Sequence, residues 1–168
     1  MARQLNVNLN LKALVFDMDG TIADLYGVDD WCEKLRNSDP SPYQVAQPMW
    51  NMAELAEVLC ALKPLGYTVI VTSWLSIDST DEYSELVRNA KREWLKNHNF
   101  PYDEIHLVKY GTTKANCTRH LNCEQILFDD SEKVRNGWTL GEKIDPTTTN
   151  IIDFLSIRPM GKTEEHTR

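Results

Sequence analysis

Residues 14–24 read LVFDMDGTIAD, and the way this stretch ends decides how the rest of the chain is read. It starts as an unbroken apolar run, the pattern of a parallel strand buried on both faces. It then places Asp17 and Asp19 two apart, before Gly20 and Thr21 turn the chain. Two like charges at the end of a buried strand repel one another, and a carboxylate leaving water costs several kcal/mol unless it is compensated. The compensation expected here is a metal ion and a phosphate.

Three more segments have strand character: YTVIVTS at 67–73, EIHLVK at 104–109 and QILFDD at 125–130. Helical patterns fall between them. In residues 49–62, Met52, Leu55, Val58, Leu59 and Leu62 fall on one face, with Cys60 inside the apolar pattern, and Pro64 and Gly66 mark the stop. Residues 79–97 carry a stripe of Tyr83, Leu86, Val87, Ala90, Trp94 and Leu95 behind a capping box of Ser79 and Glu82. A short helix is predicted over 30–36, with Asp30 and Glu33 at capping-box spacing, after which NSDPSP breaks regular structure. Further helices are predicted from Thr113 toward Leu121, over 131–136 closed by Gly137, and over 151–157. Strands alternating with helices predict an α/β fold of three layers, Rossmann-like, with a mostly parallel sheet and helices on both faces. One domain over 1–157 is expected, with residues 22–48 as a small insert after the first strand and RPMGKTEEHTR, 158–168, as a loose tail.

The totals agree with one domain. The chain has 168 residues, 42% of them hydrophobic, and a net charge of -7, which does not suit a nucleic-acid wrapper. No apolar run approaches a membrane span, and MARQLNVNLNLK lacks the apolar centre of a signal peptide, so a cytoplasmic protein is expected. Cysteines 32, 60, 117 and 123 form no C-x-x-C pair, and the four histidines are scattered, which argues against zinc.

In parallel α/β sheets ligands gather at the carboxyl ends of strands. That rule collects Asp17, Asp19, Thr72, Ser73, Asp129 and Asp130 at one edge. Magnesium favours oxygen ligands and commonly takes one or two carboxylates plus a substrate phosphate, which Asp17 and Asp130 would provide. One carboxylate then serves as nucleophile, giving an aspartyl-phosphate. The second, two residues along, protonates the leaving oxygen and later activates water. Hydroxyls at Thr72 or Ser73 and the charge of Lys114 suit phosphoryl oxygens, with Gly20 and Thr21 shaping the phosphate-binding loop. Lys109 competes with Lys114 for the lysine's role, and TTK at a helix start favours Lys114. An EF-hand loop is excluded by spacing, since that pattern wants glycine sixth and glutamate twelfth from the first Asp.

The ordered set DMDGT at 17–21, VTS at 71–73, Lys114 and FDD at 128–130 resembles the four motifs of the haloacid dehalogenase superfamily, over about residues 12 to 140. The resemblance implies Asp17 as nucleophile and magnesium ligand. It implies Asp19 as general acid/base, with its backbone carbonyl on the metal, and Thr72 holding the phosphoryl group beside Ser73. Asp130 would bind magnesium directly and Asp129 through water or at one remove, though the two could exchange roles. The presence of Asp19 favours a phosphatase over a dehalogenase. The stretch from QPMWNM to VIVTS is also loosely similar to the phosphatase half of polynucleotide kinase–phosphatases, and the chain is similar to small deoxyribonucleotidases, which carry a fuller cap.

The expected substrate is a phosphomonoester, nucleotide-like or another small ester, bound under a minimal cap. A nucleic-acid end is the alternative, disfavoured by the acidic charge. An alternative of a different class is a binding or regulatory module that keeps the fold and metal site with weak turnover. Trp74, Tyr26 and Trp31 are candidates to stack on a base or sugar, against the commoner role of packing.

Overall fold

A computed structural model describes residues 11–158, so the N-terminal dozen and the tail fall almost wholly outside the described residues. Five strands form one parallel sheet: β1 (Lys12–Phe16), β4 (Tyr67–Trp74), β5 (Glu104–Val108), β6 (Glu124–Phe128) and β7 (Gly141–Ile144), in the order β5-β4-β1-β6-β7. A separate two-residue ribbon pairs β2 (Ala23–Asp24) with β3 (Gln47–Pro48) antiparallel. The fold class is as expected: a parallel sheet between two helical layers.

The helices are α1 (Trp31–Arg36), α2 (Ser41–Val45), α3 (Met52–Leu62), α4 (Asp81–Asn97), α5 (Lys114–Thr118), α6 (Glu132–Asn136) and α7 (Ile151–Ser156). Leu55, Leu59 and Leu62 of α3, Val87, Ala90 and Trp94 of α4, and Ile151 and Leu155 of α7 share one core with Leu14 and Phe16 of β1. On the other face Ala115, Val134 and Trp138 pack with Ala13 and Val15 of the same strand. Alternate residues of β1 thus point into opposite cores, as a period of two requires.

Several local expectations are corrected. The cap of α4 is Thr80, which accepts from the Tyr83 N–H, while the Ser79 hydroxyl pairs with that of Ser84. Asp30 sits before α1 with φ of 57° and caps nothing through its side chain. Leu86 is exposed, and so is Cys60. Cys60 lies one step, about 100°, around the helix from Leu59 and so leaves the apolar stripe. The strand β7 and the helix α2 were not foreseen. Arg158, placed in the loose tail, donates to Phe154 O at 2.9 Å and pairs with Glu142 at 3.0 Å.

The two faces of α3 give a direct test. Leu59→Ala removes a fully buried side chain and should cost about 2–5 kcal/mol in urea denaturation. Cys60→Ser next to it should stay within about 0.5 kcal/mol.

The insert at 22–48 is fastened to the core at several points. Its neck is held by the β2–β3 ribbon and by Trp50, whose Nε1 donates to Thr21 O at 2.7 Å. Its far end lies on α4, where Tyr83 Oη donates to Asp39 O at 3.1 Å and Trp94 Nε1 donates to Ala46 O at 2.7 Å.

Candidate active site

The chain builds outward from β1 toward β5, then crosses to place β6 on the other side of β1. The strand order therefore reverses between β1 and β6, and ligands bind at such a switch point. Asp17 follows β1 there, and its N–H donates to Phe128 O at 2.9 Å, which fastens the two strand ends together. Asp129 and Asp130 follow β6. Carboxylate oxygens of Asp17, Asp129 and Asp130 all lie within 4.8 Å of one another.

Lys114, the first residue of α5, answers much of this charge. Its Nζ lies 2.8 Å from Asp17 Oδ1 and 2.6 Å from Asp129 Oδ2, and the side chain is almost wholly buried. Burial opposes its charge, but the carboxylates of Asp17 and Asp129 outweigh burial and hold the ammonium above the ordinary lysine range. Of the two candidate lysines, Lys114 is the one beside Asp17.

Asp129 also accepts the Ser131 N–H at 2.9 Å. Burial and the nearby charge of Asp17 still push its carboxyl up to about 7. Asp130 is raised to about 6 by burial and then by Asp17, and among the described residues no ion pair reaches it. Three hard oxygen donors with excess negative charge suit Mg²⁺, and the cluster contains no imidazole or thiolate to favour a softer metal.

Asp19 turns away from that cluster. Its Oδ2 lies 2.5 Å from Lys91 Nζ, which also donates to Ser73 Oγ at 2.9 Å. Burial raises the Asp19 carboxyl and Lys91 opposes the rise. The Ser73 hydroxyl is thus engaged, whereas Thr72 Oγ1 is buried with no hydrogen-bond partner among the described residues. A hydroxyl orphaned in this way costs about 1–3 kcal/mol unless something meets it. Thr72 follows Val71, and Val71 pairs with Phe16, so continuing the register sets Thr72 beside Asp17.

Thr21 and Gly20 act on the loops themselves. Thr21 Oγ1 accepts the Asp130 N–H at 3.2 Å and ties the loop after β1 to that after β6. Gly20 has φ of +75°, and a Cβ there would lie 2.7 Å from the Tyr26 ring and closer still to Asp130. Only glycine permits this approach.

A cleft of about 410 Å³ opens above Asp17, Asp19, Lys114 and Asp130. Two aromatic pairs flank it. Tyr26 and Trp31 from the insert meet edge to face at 5.1 Å, and Trp74 and Tyr110 from the ends of β4 and β5 lie 4.8 Å apart. Trp74 Nε1 donates to Thr112 O at 2.8 Å, which fixes the indole. Sequence reasoning found these carboxylates and missed Lys91, Tyr43 and Arg36.

No family model matches the chain, and no curated protein sequence matches it. Solved structures do. A chain of the Pnkp1/Rnl/Hen1 RNA repair complex is 20% identical at a TM-score of 0.54, over 82% of this chain and 43% of that one, so this chain spans less than half its length. D,D-heptose 1,7-bisphosphate phosphatase from Burkholderia thailandensis is 17% identical at a TM-score of 0.48, over 78% of this chain and 74% of that one. At these identities the likeness is one of fold. The α/β architecture expected from the alternation of strands and helices is shared with the repair-complex chain.

Proposed function

We propose that this protein is a Mg²⁺-dependent phosphomonoesterase that works through an aspartyl-phosphate on Asp17. One observation carries the reading: a buried carboxylate pair, Asp17 and Asp129, is bridged by the ammonium of Lys114 at a strand-order switch point, open to a cleft. Asp17, Asp129 and Asp130 would hold the ion, which supplies positive charge to phosphoryl oxygens. Asp17 attacks phosphorus, and Asp19 gives a proton to the departing oxygen. Water then attacks the phosphorus of the aspartyl-phosphate, with Asp19 taking its proton. Lys114 and the free hydroxyl of Thr72 would meet the phosphoryl oxygens.

The leaving group we infer is a nucleoside or another flat, compact group. The aromatic pairs on both sides of the cleft support this, since stacking on such faces is worth about 1–3 kcal/mol per base. Among the described residues lining the cleft the cations are Lys114 and Arg36, a poor track for a polyanionic strand.

The test is phosphate release from nucleoside 5′- and 3′-monophosphates, sugar phosphates and a 3′-phosphorylated oligonucleotide, with magnesium and with chelator. Nucleotides should be preferred, and Trp74→Ala should raise their KM about tenfold or more. Preference for the oligonucleotide would establish the end-repair alternative. Absence of turnover with magnesium still bound would favour a binding module.

A further inference from the structure

Lys91 has no part in the chemistry as described so far, yet it is among the most deeply placed charges in the protein. It projects from α4, is 0% exposed, and reaches Asp19 Oδ2 at 2.5 Å and Ser73 Oγ at 2.9 Å. Its ammonium also lies 4.7 Å from the centre of the Tyr43 ring. Tyr43 belongs to the insert, is itself buried, and is held by a hydrogen bond of 2.7 Å to Ser76. Lys91 therefore stands under the junction of the sheet edge, α4 and the insert. A charge taken wholly out of water is costly to keep unless its partners are well placed. A helix that needed only to pack at this position would be served by leucine or methionine.

The geometry says what the charge accomplishes. Asp19 follows the end of β1 by three residues, on a loop that turns at Gly20 and is tied by backbone hydrogen bonds from Gly20 to Ala23 O and from Thr21, Ile22 and Ala23 to Met18 O. These hold the backbone and leave the direction of the carboxylate to its side-chain partner. Among the described hydrogen bonds and ion pairs, the partner of its carboxylate is Lys91. The three attachments of Lys91, to Asp19, to Ser73 and over Tyr43, fix where that carboxylate stands relative to the cleft floor.

Resting on the phosphomonoesterase reading, we propose that Lys91 is the positioning residue for Asp19, holding its carboxylate where it meets the leaving oxygen. In the first step the Asp17–phosphorus bond forms, the ester P–O bond breaks, and the proton on Asp19 goes to the departing oxygen. In the second, Asp19 recovers a proton from the attacking water. A displaced Asp19 impairs the first step in proportion to the leaving oxygen's need for a proton. An alkoxide needs one, and 4-nitrophenolate does not. The insert enters catalysis through the same contact, because Tyr43 covers the lysine.

The test compares kcat/KM, which reports steps through the first bond cleavage, for a nucleoside 5′-monophosphate and for 4-nitrophenyl phosphate. Lys91→Met should lose on the order of 100-fold or more on the nucleotide and less than about 10-fold on the aryl ester. In an Asp19→Asn background the same substitution should cost less than about threefold on the nucleotide, because its effect runs through Asp19. Lys91→Gln, which keeps a donor toward Asp19, should recover part of the loss and serves where Lys91→Met does not fold. Equal losses on the two esters, or full additivity with Asp19→Asn, would show a structural role only and overturn the proposal. A wild-type protein inactive on both esters would overturn the phosphomonoesterase reading, and this role with it.

Discussion

Asp17→Asn should lower kcat by roughly 10⁴ to 10⁶, the scale on which removal of a covalent nucleophile is felt. The amide cannot form the acyl-phosphate, and the neighbouring carboxylates have other roles, Asp130 as a proposed holder of the ion. Asp129 is tied to Lys114 and to the Ser131 N–H, and Asp19 is tied to Lys91. The side chain is nearly isosteric, so substrate binding should survive better than turnover. Substrate KM should change by less than about tenfold while kcat collapses. A binding module would behave otherwise: the variant would keep its partner, and no turnover would exist to lose.

The second large effect falls on stability. Lys114→Met leaves Asp17 and Asp129 buried beside one another without their shared cation. Breaking a buried ion pair from one side costs about 3–5 kcal/mol, and a comparable loss is expected in urea denaturation of the metal-free variant at pH 8. The loss should depend on pH in a definite sense. Burial and Asp17 raise the folded-state pKa of Asp129 from 3.8 to about 7, and that of Asp130 to about 6. A carboxyl raised on folding binds its proton more tightly in the native state, so it destabilises the fold above its folded pKa and ceases to do so as pH falls toward 3.8. The metal-free wild type should therefore gain stability from this cluster as pH falls from about 7 to about 4. Lys114→Met should steepen that gain, and saturating magnesium should flatten it, since the ion competes with the proton for the same oxygens.

The parts of this site that lie in one short stretch were legible before any coordinates. An apolar run ending in acid is a local signal, and two such runs, at 12–17 and 125–130, located the strand ends that meet. The parallel sheet followed from the alternation of segments. Other features depend on tertiary packing and left fainter traces. β7, with the sequence GEKI, is mostly exposed at an edge and has no apolar run to announce it. α2 contains Pro42 and spans five residues, and its conformation is tied to packing on α4 rather than to propensity. Lys91 did leave a signal. It lies four residues after Val87 and three before Trp94, within the stripe that faces the core. A charged residue on a buried stripe calls for a buried partner, and Asp19 is that partner. The cap of α4, found at Thr80 rather than Ser79, shows how closely Ser and Thr compete when they stand together before a helix.

The most direct examination of this chemistry is a single turnover with a ³²P-labelled phosphomonoester and magnesium, quenched in acid and followed by peptide mapping. Acid-stable, hydroxylamine-labile label on the peptide carrying Asp17, absent from Asp17→Asn, is the expected result. Rapid phosphate release with no label on that peptide at any quench time would mean that water attacks the ester directly and that Asp17 is not the nucleophile.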